Sequence, residues 1–274
     1  MKIFKGFRNT FAFLTKIPVG MDIESMDDIA RYSWLFPIVG MIIGIIPGVI
    51  GFILLLLLPK SLIGPIILGL ILLLTGLHHT DGLLDFGDGI MAHGTPERKL
   101  EIMHDVNTGT GGIVLGIVIL LTTAVSYSYL NIFMIFGVII AEISAKLGML
   151  EVASFSKTTA KGSKMAEPFV RLTKPHYFFL SFVITIILFF FLNYGIRLTI
   201  YLFWGIWYFS YFEFLIQLLI ILAGSIIPSL FIYGIAKRNF KGMSGDTFGA
   251  INDICRMSTL VLLVILIRAR ILVY

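Results

Sequence analysis

SLIGPIILGLILLLTGLHHTDGLLDFGDG, residues 61–89, runs from an uncharged apolar segment straight into a cluster of acids, histidines and glycines. A helix rises about 1.5 Å per residue, so roughly 20 apolar residues cross a hydrocarbon core about 30 Å thick. Residues 62–79 meet that requirement and predict a membrane span. Working outward, the same pattern predicts spans at 34–58, 111–129, 131–150, 176–194 and 257–274, with a single crossing somewhere in 198–236. Composition agrees: 58% of the 274 residues are hydrophobic and 14% charged, against about 45–50% and 25% in soluble chains. The mean hydropathy is +0.97. The expected fold is all-α, a polytopic transmembrane bundle of about seven spans with short amphipathic helices at the cytoplasmic face. Residues 1–274 form one integral-membrane catalytic domain on this reading.

The net charge of +5 does not point to nucleic acid, because Lys and Arg fall between apolar runs, where membrane orientation explains them. With one crossing in 198–236, the N-terminal arm and the motif loops 80–110, 151–175 and 237–256 share a side. That side then carries Lys157, Lys161, Lys164, Arg171, Lys174, Lys237, Arg238 and Lys241. The opposite side keeps Lys60, Arg197, Arg268 and Arg270. The positive-inside rule makes the richer side cytoplasmic, and the expected location is the cell membrane. Two crossings in 198–236 would need a turn near Ser210 and would split the motif loops. The arm, residues 1–30, opens with Lys2, Phe4, Lys5, Phe7, Arg8, Phe11 and Phe13, an amphipathic segment suited to the interface and unlike a cleavable signal peptide. The single cysteine, Cys255, excludes an internal disulfide and reads as a small buried apolar residue.

Three segments are not membrane filler. In TGLHHTDGLLDFGDG, residues 75–89, Asp81, Asp85 and Asp88 stand at i, i+4 and i+7, on one face of a helix that Thr75 and His78 extend. Carboxylates so placed repel unless protonated or bound to a cation. Mg2+ takes such oxygens together with substrate phosphates. Gly82, Gly87 and Gly89 would let a bulky substrate approach the backbone. The alternative is a solvated loop after a span. In TPERKLEIMHDVNTGTGG, residues 95–112, Thr95–Pro96 starts a helix that reaches about Asp105, a candidate fourth metal ligand. Glu97 and Glu101 share the spacing but suit a solvated face. The turn at 108–112, with Gly109 and Gly111, has free N–H groups that could meet phosphate at the start of the next span.

In GMSGDTFGAINDICRM, residues 242–257, Asp246, Gly249, Asp253 and Arg256 share a helical face. Asp253 and Arg256 either pair internally or meet substrate; Asp246, flanked by glycine and polar residues, is the better functional candidate. Glu142 and Lys146 interrupt the fourth span at i, i+4 and either pair or face a substrate cavity. His79 and His104 border the acids as acid–base or hydrogen-bonding groups. Metal-binding acids, phosphate turns and basic loops converge on a phosphorylated substrate, one partner being large or amphipathic.

GLHHTDGLLDFGDG, HDVNTGTGG and GMSGDTFGAINDI resemble the three signature segments of the cobalamin 5′-phosphate synthase (adenosylcobinamide-GDP ribazoletransferase) family. RYSWLFPIVG, residues 31–40, resembles the same family's entry to its first span. The resemblance implies that adenosylcobinamide-GDP is joined to α-ribazole or its 5′-phosphate, with GMP leaving and Mg2+ required. Carried over, it implies metal at Asp81, Asp85 and Asp88, with Asp105 and Asp246 near the diphosphate and His79 managing the hydroxyl proton. Gly82, Gly89, Arg98, Gly109, Gly111 and Lys146 complete the expected substrate contacts. The family usually has Arg-Asp-Ser where this chain has His104–Asp105–Val106, and Arg98 or Lys99 would compensate. The lipid bilayer is the other expected partner, and a homo-oligomer is left open. Two rival readings fit the sequence less well. A CDP-alcohol phosphotransferase would need an Ala-Arg pair after the Asp-Gly motif, which is absent. A secondary transporter would hold its acids near the bilayer midplane.

Overall fold

The computed structural model describes residues 2–20, 26–204, 211–269 and 271. The chain forms α1 (Lys2–Leu14), α2 (Met26–Arg31), α3 (Phe36–Leu54), α4 (Lys60–Thr75), α5 (His78–Met91) and α6 (Pro96–Met103). These are followed by α7 (Thr110–Ser128), α8 (Met134–Phe155), α9 (Ala166–Leu172), α10 (Pro175–Trp204), α11 (Tyr211–Phe240) and α12 (Gly245–Arg268). Among the described residues there is no strand, only an isolated bridge between Thr159 and Met243. Among the described residues, six helices are long and apolar enough to cross a membrane, and the bent pair α4–α5 supplies a seventh candidate. The chain is a multi-pass membrane protein built as an all-α bundle.

Helix α8 is its axis: 89% of its apolar window is buried, and it packs against α3, α10, α11 and α12. Gly40, Gly44 and Gly48 of α3 form a stripe at every fourth residue. A Cβ at these positions would come within 2.7 Å of Glu142 O, 2.7 Å of Ile139 Cα and 3.0 Å of Ile135 Cα. Small residues let two backbones meet where no hydrophobic gain drives association in lipid. On α7 the reverse holds: Ile113, Val114, Ile117, Val118, Leu121 and Val125 are exposed on its outer side, as lipid-facing residues must be.

The expected span 62–79 ends at Thr75. Gly76 and Leu77 both adopt the left-handed conformation (φ 76° and 66°), and the chain turns by 98° into α5. The left-handed region favours glycine and is strained for leucine. Lys16 N–H donates to Leu74 O at 2.7 Å, tying the end of the N-terminal arm to this corner. Other boundaries shift too. The expected span 34–58 stops at Leu54, and 131–150 continues to Phe155. The start of 198–236 belongs to α10, while α11 crosses once (Phe214–Phe240); residues 205–210, where the turn near Ser210 falls, lie outside the described residues. The last span, expected at 257, begins at Gly245, so the third motif is its first turns. Ser244 caps it, accepting from Thr247 N–H at 3.0 Å.

The crossings bring the motif segments to one end of the bundle. There Arg171 reaches Asp27 at 2.9 Å, Met243 N–H donates to Thr158 O at 3.0 Å, and His104 stands 3.7 Å from Asp246. Cysteine scanning tests the arrangement, because the native Cys255 is buried. Val106→Cys and Lys161→Cys should react with an impermeant thiol reagent from one side of sealed vesicles, and Lys60→Cys from the other. Labelling of all three from the same side would contradict the topology.

Candidate active site

Helix α5 lies across the ends of its neighbours rather than among them. A Cβ on Gly82 would come 2.8 Å from Asp246 Cα, and one on Gly249 2.6 Å from His79 O. These two glycines let α5 and α12 touch backbone to backbone. Gly87 meets Gly112 in the same way, and a Cβ on Gly89 would strike Phe240 and Met103. The open backbone expected at Gly82, Gly87 and Gly89 for a substrate is therefore filled by protein, because a lateral helix reaches the ends of the spans only where side chains are missing.

The three carboxylates of α5 have different surroundings. Asp81 is exposed, Asp85 half-buried and Asp88 buried. Asp88 accepts from Gly109 N–H at 2.6 Å and from Gly112 N–H at 2.8 Å. It thus occupies the N-terminus of α7, where unpaired N–H groups and the helix dipole favour an anion. The turn at 108–112, expected to meet substrate phosphate through Gly109 and Gly111, spends its N–H groups at 109 and 112 on this internal carboxylate. A Cβ on Gly111 would meet Gly87 O at 2.9 Å. Asp85 has no such relief. Burial, then the charges of Asp246, Asp81 and Asp88, push its carboxyl up to about 7. Asp246 comes from the first turn of α12, so two elements feed one acidic edge. Asp105 turns away from that edge and binds Asn107 through its backbone and side-chain N–H groups at 2.9 and 3.0 Å, which hold its carboxyl below the usual range. Helix α6 ends at Met103, short of it. Arg98 is exposed and pairs with Glu101, and Lys99 donates to Asn239 at 2.6 Å. Among the described residues, no three His, Cys, Asp or Glu side chains close on a common point as a metal cluster would. The donor set at the edge, oxygen only and mutually repelling, is nonetheless of the kind that suits a hard divalent cation sharing its coordination with phosphate.

Beneath the edge lies a buried ion cluster. Arg256 donates to Glu142 and to Asp253; Lys146 donates to Asn252 Oδ1 at 2.5 Å and stands 3.6 Å from Glu142. Thr80 Oγ1 donates to Asp253 Oδ2 at 2.8 Å. Both internal pairings open to the sequence, Asp253–Arg256 and Glu142–Lys146, are thus present. Lys146 is wholly buried with its ammonium engaged, below the acidic edge rather than at its surface. Thr80 and Asn252 carry no signal in the sequence; only the approach of α5 to α12 gives them their roles. His79 is buried, and on α5 it points away from Asp81 and Asp88, whereas the exposed His78 shares their face. Its imidazole is held well below the ordinary range, first by burial and then by Lys146, Arg256 and His78.

Residues 6–264 match the sequence model of a family described as cobalamin-5-phosphate synthase. The chain belongs to the cobalamin-5-phosphate synthase family. Within it, the chain is 31% identical to the adenosylcobinamide-GDP ribazoletransferase of Methanosarcina barkeri over 96% of this chain and 92% of that one. It is 33% identical to the Thermococcus kodakarensis protein of the same name over 93% and 96% of the two chains. No solved structure matches. As a member of this synthase family, the chain is an enzyme.

Two measurements probe the framework. Arg256→Leu removes the guanidinium shared by Glu142 and Asp253, and a loss of about 3–5 kcal/mol is expected for breaking a buried pair; a thermal melt in detergent within a degree of wild type would refute the cluster's role. Asp88→Ala should cost about 0.5–2 kcal/mol as a lost helix cap, read from the same melt.

Proposed function

We propose that this protein joins adenosylcobinamide-GDP to α-ribazole or its 5′-phosphate, releasing GMP, at the acidic edge formed by α5 and α12. One observation carries the reading: Asp81, Asp85 and Asp246 are gathered at one end of a membrane bundle, with Asp85 driven towards protonation by burial and then by its acidic neighbours. A site built to hold a cation and a diphosphate has this character. A ribose hydroxyl oxygen of the acceptor bonds to the phosphorus that bears the cobinamide. The phosphorus–oxygen bond to GMP breaks, and its electron pair leaves with GMP. Mg2+ held by Asp81, Asp85 and Asp246 would neutralise charge on the phosphoryl oxygens and leaving group. Asp88 and Asp105 are committed elsewhere, so we assign them to the framework and not to the metal. The hydroxyl proton passes to His78, which shares the carboxylate face; the buried His79 has a different place. The edge faces the cytoplasm of the cell membrane, supported by the Lys and Arg of the segments around it.

Purified protein given adenosylcobinamide-GDP and α-ribazole 5′-phosphate should release GMP only with Mg2+. Asp85→Asn should lower that rate by about 100-fold or more, the scale expected for losing a charge-stabilising group. Without Mg2+ the same variant should melt at a higher temperature than wild type, because it removes a repelling charge. Loss of rate accompanied by a lower melting temperature would reduce Asp85 to a structural residue.

A further inference from the structure

On the other face of α5, between α1, α3, α8, α9 and α12, lies a cavity of about 280 Å³. Its walls are mainly apolar. Phe13, Phe36 and Phe248 each meet the buried Phe169, with ring centroids 5.6, 6.0 and 6.0 Å apart, and Met26, Met149 and Met165 line it with them. Two imidazoles, His78 and His79, interrupt this lining. His79 is 9% exposed and borders the cavity, and among the described residues its imidazole makes no hydrogen bond; Nδ1 is sealed inside the fold, so Nε2 is the ring nitrogen left accessible. A buried polar side chain without a partner is costly, and native proteins leave few of them without a reason. A neutral imidazole offers a donor at one ring nitrogen and an acceptor at the other. The walls also include the exposed His78 and Gly245, the residue before Asp246. Whatever fills the cavity therefore emerges beside the acidic edge.

These features select an occupant. Sites for drug-sized ligands run to about 300–1,000 Å³, so this cavity holds one bicyclic ring system and not a corrin macrocycle. Guanine is bicyclic, but it carries several edge donors and acceptors, which aromatic and methionine walls would leave unpaired. A benzimidazole is flat and apolar and has a single ring nitrogen free once the other bears a sugar. We propose that this cavity seats the aromatic base of the ribazole acceptor, with His79 Nε2 bonded to its free ring nitrogen, and so sets which bases are accepted. The proposal rests on the reaction inferred above. Methionine and phenylalanine walls suit such a base, since both make favourable contacts with aromatic faces. The ribose then projects past His78 and Gly245 towards Asp246 and Asp85, where its hydroxyl must react.

The test uses the purified full-length protein in detergent with Mg2+ and three variants. Met165→Trp narrows the cavity from a half-exposed position, Phe248→Ala opens its wall, and His79→Phe keeps a ring without the nitrogen. Each should raise KM for α-ribazole 5′-phosphate about tenfold, the equivalent of about one hydrogen bond or a comparable packing loss, while KM for adenosylcobinamide-GDP stays within about twofold. An indole riboside 5′-phosphate, lacking the free ring nitrogen, should be disfavoured about tenfold by wild type and not by His79→Phe. Unchanged acceptor KM in Met165→Trp and Phe248→Ala, both melting like wild type, would overturn the proposal. If wild type releases no GMP at all, the reaction fails as a reading. Calorimetric binding of α-ribazole, weakened in Phe248→Ala, would still uphold the cavity, and no binding would end both.

Discussion

Arg256 is wholly buried in a bundle that offers it no water, and its charge is tolerable only because Glu142 and Asp253 share it. That requirement fixes much else. Glu142 must come from α8 and Asp253 from α12, so the two central helices are locked in rotation about their axes as well as in distance. Lys146 and Asn252 balance the remaining charge and donors. Thr80 then extends the network to α5. The lateral helix carrying the acids is thereby pinned to the most constrained point of the bundle. Specificity of arrangement, more than net stability, is what such a cluster provides.

Above that anchor, one helix presents three aspartates and uses each differently. Asp88 satisfies the start of α7; Asp81 is solvated; Asp85 is left in between, half-buried and crowded by Asp246 from another helix. Spacing of four and three residues makes the acids neighbours on a face, but their ionisation follows from what each carboxylate meets off the helix. The same principle separates the two adjacent histidines, since a single residue step turns one outward and the other into an aromatic wall.

Much of this was legible in the sequence. Uncharged apolar runs of about 20 residues announce spans, and the three polar motifs mark the end of the bundle where the chemistry gathers. What could not be read was which neighbours meet. The glycines of α5 look like room for a ligand in one dimension and prove to be contact points between helices, since Gly82 and Gly249 face backbone. Asp105 sits in a motif yet is satisfied by Asn107 two residues on. The 98° corner at Gly76–Leu77 depends on left-handed backbone at a leucine, which no propensity favours. The early start of α12 hides in a polar stretch because its charges are matched by residues far away in the chain.

The corner at Gly76 has a consequence for traffic. A span that continued straight would have carried the acids out into water, away from the starts of α7 and α12 that they meet here. By folding sideways, α5 becomes a floor laid along the mouth of the bundle, with its acidic edge open to water and its other face over an apolar recess. A donor with a macrocyclic body can then dock from the aqueous side without crossing hydrocarbon, while a smaller, oilier partner is offered a compartment just beneath. The membrane serves as the wall that keeps the two approaches distinct.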